Sequence, residues 1–422
     1  MIGITNIKIS DFKKEFGLPK HYSISDIFEN GNINPFWIDG YYCSGATAAA
    51  RLINLQTKPY RLGKFRNYGP QIGNLHAWGY NNEGQLGLGD YSTRSVPTRN
   101  LLSIRWKMIS IGVNTSFGIG DDVGVQKLYG WGMNNRYQLG LGNTNIKINP
   151  TQIGSWTDWE AVAAGLFHSL GIRGGKLYAW GYNNQGQLGT GDTNNKTAPT
   201  QIGSWTDWEA VAAGDYHSLG IRGGKLYAWG YNNQGQLGTG AFNDHKTTPT
   251  QIGSWTDWEA VAVGPNHSLG IRGGKLYAWG YNAGGQLGTG DVYSKHTPTQ
   301  IGSWTDWEKI STGYFHSIGI RGGKLYSWGQ GSFGQLGQGS YNNNIDVTQV
   351  GSLTGWRNIA AGDYHSFGIR SGELYTTGYN NYGQLGLGDT ISRNSLAIVG
   401  SSNAWSWISA GEMYSIGLNE IT

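Results

Sequence analysis

Five histidines recur at one phase of the chain, His168, His217, His267, His316 and His365, each followed by serine. Imidazoles at a fixed repeat position suggest two chemistries: a ring of metal ligands, or a set of groups that titrate together near neutrality. Two copies of the position break the set, with Thr115 and Tyr414, and no carboxylate accompanies the histidines at a constant ligating interval. A hydrogen-bonded structural imidazole is therefore the expected role. A second recurrent set is cationic: Arg173, Arg222, Arg272 and Arg321 with Lys176, Lys225, Lys275 and Lys324, in Arg-Gly-Gly-Lys segments. Asp158 and Glu160, with their equivalents, repeat beside them, so local neutralisation is expected rather than an anion site. No nucleophile elbow, phosphate loop or zinc-protease helix occurs, and the many Gly-x-Gly strings do not open helices. The chain is expected to be no enzyme and to need no cofactor or metal.

The elements that must carry these residues follow from a long repeat. The segment Tyr-Ala-Trp-Gly-Tyr-Asn-Asn-Gln-Gly-Gln-Leu-Gly-Thr-Gly returns with its Trp-Gly pair at Trp78, Trp131, Trp180, Trp229, Trp279 and Trp328, and with Thr377-Gly378 in a seventh copy. The spacings are 53, 49, 49, 50, 49 and 49 residues, the length of one four-stranded propeller blade. Within one period, Glu160–Ala164 reads as strand A, His168–Arg173 as B, Lys176–Trp180 as C and Pro199–Ile202 as a short D. Gly174-Gly175 supplies the B-to-C turn, where positive φ carries no Cβ penalty. A residue needed seven times is a packing residue, so the tryptophans are expected in the blade cores. Gln187 and its equivalents are expected to bond backbone between blades. The repeat region begins with a C strand at Leu75–Trp78 and ends with A and B strands near Trp407–Ala410 and Tyr414–Leu418. Two strands from each end should thus complete one blade, closing the ring and removing its sheet edges.

The spacing Ala-Gly-x-x-His-Ser-x-Gly-Ile, then Leu-Tyr-x-Trp-Gly-x-Asn-x-x-Gly-Gln-Leu-Gly-x-Gly, then Pro-Thr-x-Ile resembles the repeat of the regulator of chromosome condensation. The resemblance covers roughly five-sixths of the chain and implies an all-β, seven-bladed propeller over residues 71–422. Family members named for that role exchange nucleotide on a Ran-like GTPase by means of an inserted wedge. Here the regular periods leave little room for one, the longer copy being at Asp121–Gln126.

Composition agrees with a β scaffold: 70 glycines and 19 tryptophans in 422 residues. A formal charge of +4 without a basic run argues against nucleic acid as partner. The single cysteine, Cys43, excludes an intrachain disulfide framework. No run of eighteen apolar residues occurs and the start lacks a secretory pattern, so no membrane insertion is expected.

Copies between residues 153 and 300 are nearly identical, and their differences are confined to two loops. One is the pair before His-Ser: Leu166-Phe167, Asp215-Tyr216, Pro265-Asn266, Tyr314-Phe315 and Asp363-Tyr364. The other follows Gly-x-Gly, as in Thr193–Ala198, Phe242–Thr248 and Val292–Thr297. Antiparallel strand order sends the A-to-B and C-to-D loops to one side of the disc, and the B-to-C hairpins and D-to-A links to the other. Phe167, Tyr216, Asn266, Phe315 and Tyr364 are thus the candidate partner-binding residues of a variable face, since function on propellers is carried by loops on a rigid frame.

Residues 1–70 do not repeat. Ser10–Gly17 reads as a short capped helix, Ser25–Gly31 as a degenerate copy and Ser44–Leu55 as a third helical piece, an irregular or helical arm without its own core. Phe12, Phe16, Ile27 and Phe28 are candidate anchoring residues. The opening resembles leaders of tailed-phage virion proteins. That implies a virion protein of the tail or capsid, assembled in the host cytoplasm, whose arm binds other virion proteins and whose propeller meets a host surface receptor. The alternative is a cytoplasmic exchange factor or adaptor for a small GTPase.

Overall fold

The computed structural model describes residues 73–122 and 124–420, preceded by four short strands, Phe28–Glu29, Asn32–Ile33, Phe36–Ile38 and Tyr41–Cys43. Two compact units divide the chain at Pro70. In the first, Phe28–Glu29 pairs antiparallel with Asn32–Ile33, and Phe36–Ile38 with Tyr41–Cys43. This corrects the helix expected over Ser25–Gly31. Ile27 and Phe28 favour extended backbone, and Asn30-Gly31 is a strong two-residue hairpin signal that outweighs the capping pattern. The other two helical expectations lie outside the described residues, as do Phe12, Phe16 and Ile27. Among the described residues there is no helix, and hence none long and apolar enough to cross a membrane.

The second unit is the seven-bladed β-propeller. Blade 3 shows the plan: A is Trp159–Ala164, B His168–Arg173, C Lys176–Gly181 and D Lys196–Gln201, paired in that order. B and C are in continuous register from His168↔Gly181 to Arg173↔Lys176, which places Gly174 and Gly175 in the turn at φ 55° and 67°. The closing blade is assembled as expected. Tyr414–Glu420 pairs with Gly73–Gly79 from Tyr414↔Gly79 to Glu420↔Gly73, with Trp405–Ala410 inside and Arg94–Arg99 outside. A further pair, Gly73↔Trp106, joins this blade to blade 2 in one eight-stranded sheet.

Hydrophobic cores lie between blades rather than within them. Leu170, Ile172, Leu177 and Ala179 of blade 3 pack on Trp208, Tyr227 and Trp229 of blade 4, and the other junctions are built alike. The tryptophan of each Trp-Gly pair is fully buried, and its indole donates to the preceding blade: Trp180 Nε1 to Gln138 O at 2.8 Å, Trp229 Nε1 to Gln187 O at 2.9 Å. Gln187 Oε1 accepts from Gln185 N at 2.9 Å within its own loop, so the side chain bonds backbone there, and it is the main-chain carbonyl of this position, not the side chain, that reaches the next blade. A side chain at Gly189 (φ 77°) would meet the Trp229 indole at 3.0 Å, which explains the glycine.

The histidines are inter-blade struts. His168 Nε2 lies 2.9 Å from Ser218 Oγ of the next blade, and that hydroxyl donates to Gln187 O at 2.8 Å. The serine proton is thus committed, so Nε2 carries the hydrogen and each imidazole is neutral. His217, His267 and His365 reach Ser268, Ser317 and Ser415 in the same way, and His316 Nε2 lies 2.8 Å from Ser366 Oγ. Tyr414 continues the ring with its hydroxyl 2.9 Å from Ser116 Oγ. At the junction after Thr115, Ser110 Oγ accepts from Ala164 N instead, at 3.1 Å. Burial holds all five imidazoles down to about 3.

Candidate partner-binding site on the variable face

Ring contacts confirm how the loops sort between the two sides of the disc. On one side each D-to-A link meets a B-to-C hairpin. Arg222 Nε donates to Asp207 Oδ1 at 2.5 Å and Nη1 to Tyr227 Oη at 3.2 Å, while the guanidinium carbon sits 4.2 Å from the Trp205 ring centre. Arg173, Arg272 and Arg321 repeat this unit with Asp158, Asp257 and Asp306 and with Trp156, Trp255 and Trp304. The expected neutralisation is therefore present at the four arginines, where stacking on tryptophan adds to it, whereas Lys176, Lys225, Lys275 and Lys324 enter no ion pair among the described residues. In blade 7 Leu353 and Gly355 replace the tryptophan and aspartate, and Arg370 Nε donates to Thr354 O at 2.7 Å. The longer hairpin of blade 2 adds two strand pairs, Asp121↔Gln126 and Asp122↔Val125, on this same side.

On the other side the C-to-D loop is a fixed frame. Asn183 Oδ1 accepts from Leu188 N at 2.9 Å, and its amide donates to Asp192 O at 3.0 Å and Asn194 O at 3.1 Å. Asn134, Asn232, Asn282 and Asn380 hold their loops in the same manner. Lys196–Asp192 at 2.8 Å and Lys295–Asp291 at 2.7 Å pin the tips. The sequence pattern marked this asparagine as repeated without revealing its role.

The five candidate residues stand half-buried on the A-to-B loops, four of them against the residue that follows the C strand of their own blade and Phe315 against Tyr281 of the preceding blade. Phe167 packs on Tyr182 at 6.1 Å between ring centres, Tyr216 on Tyr231 at 6.3 Å and Phe315 on Tyr281 at 6.0 Å. Asn266 O accepts from Tyr281 N at 2.9 Å. Tyr364 belongs to a larger group: it stacks on Tyr314 at 5.9 Å and 19°, and meets Phe333 at 5.1 Å and Tyr379 at 6.4 Å. Phe28, the one anchoring candidate within the described residues, lies in the first short strand.

Three acidic residues, not singled out by the sequence, complete this surface. The channel along the propeller axis contains a cavity of about 80 Å³, lined by the ends of the A strands and by the A-to-B loops, with Asp215 and Asp363 in its wall. Desolvation, then repulsion from Glu412, pushes Asp215 up to about 7. Asp363 stands well above the usual carboxylate range for the same causes, desolvation first and then Asp215 and Glu412. Desolvation also raises Glu412. Tyr364, desolvated and in the field of all three carboxylates, is pushed up to about 12, and Tyr314 is raised. The A-to-B position of Asp215 and Asp363 was the available signal; their meeting across the axis depends on ring closure.

A closed ring of seven four-stranded blades, with paired arginines on one face and variable loops on the other, places the chain in the β-propeller class. The chain belongs to the regulator of chromosome condensation (RCC1) repeat family, whose repeat is matched at residues 73–119, 127–172, 174–221, 223–271, 273–320, 322–369 and 371–418. It is 33% identical over 104 residues to the ultraviolet-B receptor UVR8 of Arabidopsis thaliana, and 40% identical over 86 residues to the human X-linked retinitis pigmentosa GTPase regulator. These stretches are 24% and 19% of this chain, and 23% and 8% of those proteins. Prp20p from Saccharomyces cerevisiae has the same fold, with a TM-score of 0.75 at 21% identity, over 85% of this chain and 94% of that one. Human WBSCR16 superposes with a TM-score of 0.74 at 20% identity, over 82% and 99%.

Proposed function

We propose that the protein is a non-catalytic scaffold that binds a partner protein through the variable face, with Phe167, Tyr216, Asn266, Phe315 and Tyr364 in the contact. One observation carries this reading: near-identical blades differ at the loops of a single face, while the hairpin arginines of the opposite face are engaged by aspartates beside them. The setting we propose is the virion of a tailed phage, with residues 1–70 binding other virion proteins and the propeller turned to a host surface receptor. The resemblance of the leader supports that setting. The test is adsorption of the labelled full chain to host cells. Replacing Phe167, Tyr216, Phe315 and Tyr364 together by alanine should abolish adsorption, and Arg222→Ala on the other face should preserve it. Equal adsorption by the first variant and the wild type refutes the reading.

A second reading, regulation of a small GTPase, is favoured by the fold shared with Prp20p, a protein described by its binding to Gsp1p and histones. Against it, the longer hairpin of blade 2 adds only two strand pairs, a small projection for a wedge. Accelerated release of labelled GDP from Gsp1p on adding this chain would establish that reading over the first.

A further inference from the structure

We propose that the mouth of the central channel, on the variable face, receives a cationic side chain, arginine or lysine, projected by the partner. This rests on the variable-face reading and names the chemistry at its centre. Three features meet there.

The first is a group of carboxylates from separate blades that face one another without a cation between them. Aspartates of the C-to-D loops pair with a lysine or arginine, as in Asp90–Arg94, Asp192–Lys196, Asp291–Lys295 and Asp389–Arg393. Those of the D-to-A links pair with the hairpin arginines. Asp215, Asp363 and Glu412 have no ion-pair partner and accept no side-chain hydrogen bond among the described residues. They interact with one another instead, at the cost of remaining partly protonated. Arg136, a cation of this face outside those pairs, is stacked 5.2 Å from the Tyr182 ring and acts on Tyr216 rather than on the carboxylates.

The second feature is aromatic. Tyr314 and Tyr364 stack beside the carboxylates, and Phe333, 36% exposed, packs edge-on to Tyr364. Aromatic faces beside carboxylates suit a desolvated organic cation, which gains from the ring quadrupole as well as from the charge. The third is the cavity itself. Its wall is otherwise mostly apolar, with Ala164, Ala213 and Ala410 at the strand ends beside Thr312, and about 80 Å³ admits a guanidinium or ammonium head. The carboxylates are not clustered closely enough to hold a metal ion.

The probe is a fluorescein-labelled hexa-arginine peptide, its binding to the full chain followed by fluorescence anisotropy at physiological ionic strength. Saturable binding at one peptide per chain is expected, weakened about tenfold or more by Asp215→Asn, Asp363→Asn and Glu412→Gln together. The same change of charge on the other face, Asp158→Asn, Asp207→Asn and Asp257→Asn, should weaken it by less than about twofold. Tyr364→Leu should weaken it several-fold. Because the amide substitutions relieve repulsion, the first triple variant should be at least as stable as the wild type, so loss of binding would not report unfolding. Absence of binding, equal loss in the two triple variants, or displacement of the peptide by millimolar calcium would each overturn the proposal. If the quadruple alanine variant fails to adsorb to cells while the channel triple variant adsorbs fully, the channel proposal falls and the variable-face reading stands.

Discussion

The two faces of the disc are made from the same repeat and handle charge in opposite ways. On the constant face every hairpin arginine of blades 3 to 6 is held by an aspartate, a tyrosine hydroxyl and a tryptophan ring, all from its own blade. On the variable face carboxylates from blades far apart in sequence converge on the axis and repel one another. A blade can neutralise itself locally and be copied. A surface that draws one residue from each of several blades cannot be copied, because its chemistry exists only in the closed ring.

The comparison presumes one frame beneath both faces, and the strongest way to break it is to remove that frame. Trp229→Ala should cost about 3–5 kcal/mol in chemical denaturation, since it empties an inter-blade core and removes one of the two donors to the Gln187 carbonyl. Unfolding of one face without the other would show that the two are separable.

The next effect is pH-dependent. Each buried histidine titrates at about 3 when folded against 6.5 ordinarily, so below 6.5 the unfolded chain takes up protons that the folded chain refuses. Stability should fall as the pH drops from 6.5 towards 3, and His267→Gln should flatten that fall. Asp215 has the opposite sign. Its folded value of about 7 means that stability is complete below the ordinary carboxylate range and is lost as pH rises through 7. Asp215→Asn should therefore stabilise by roughly 1 kcal/mol at pH 8, a figure discounted for the hydrated channel mouth, and do nothing at pH 4. The smallest effect belongs to the constant face. Asp207→Ala should cost at most about 1 kcal/mol, less at high salt, because the pair is largely exposed.

What could be read from the sequence divides along the same line. Features repeated in every blade were legible: the strands, the buried tryptophans, the strut histidines and the Arg–Asp pairs all show themselves by recurrence. The closing blade was legible because its missing strands had to come from somewhere. Asp215, Asp363 and Glu412 were not, since nothing in the spacing states that three separate loops face one axis. The arginine–tryptophan stacks are hidden for a simpler reason: Trp205 and Trp208 lie three residues apart, and nothing in the spacing states that one covers the hairpin arginine while the other enters the core. In the leader, a capping pattern at Ser25 was read ahead of Asn30-Gly31, and strand pairing prevailed.

The strands that seal the first blade also set a timetable for synthesis. Blades 2 to 7 are contiguous in the chain and can form as each is completed. Gly73–Gly79, made before all of them, waits for Tyr414–Glu420. Until then the nascent ring is an open spiral with two bare sheet edges, the state most exposed to pairing with another chain. The strands Trp405–Ala410 and Tyr414–Glu420 are thus its latch, and a pause in translation just before them would lengthen the interval in which misassembly competes with closure.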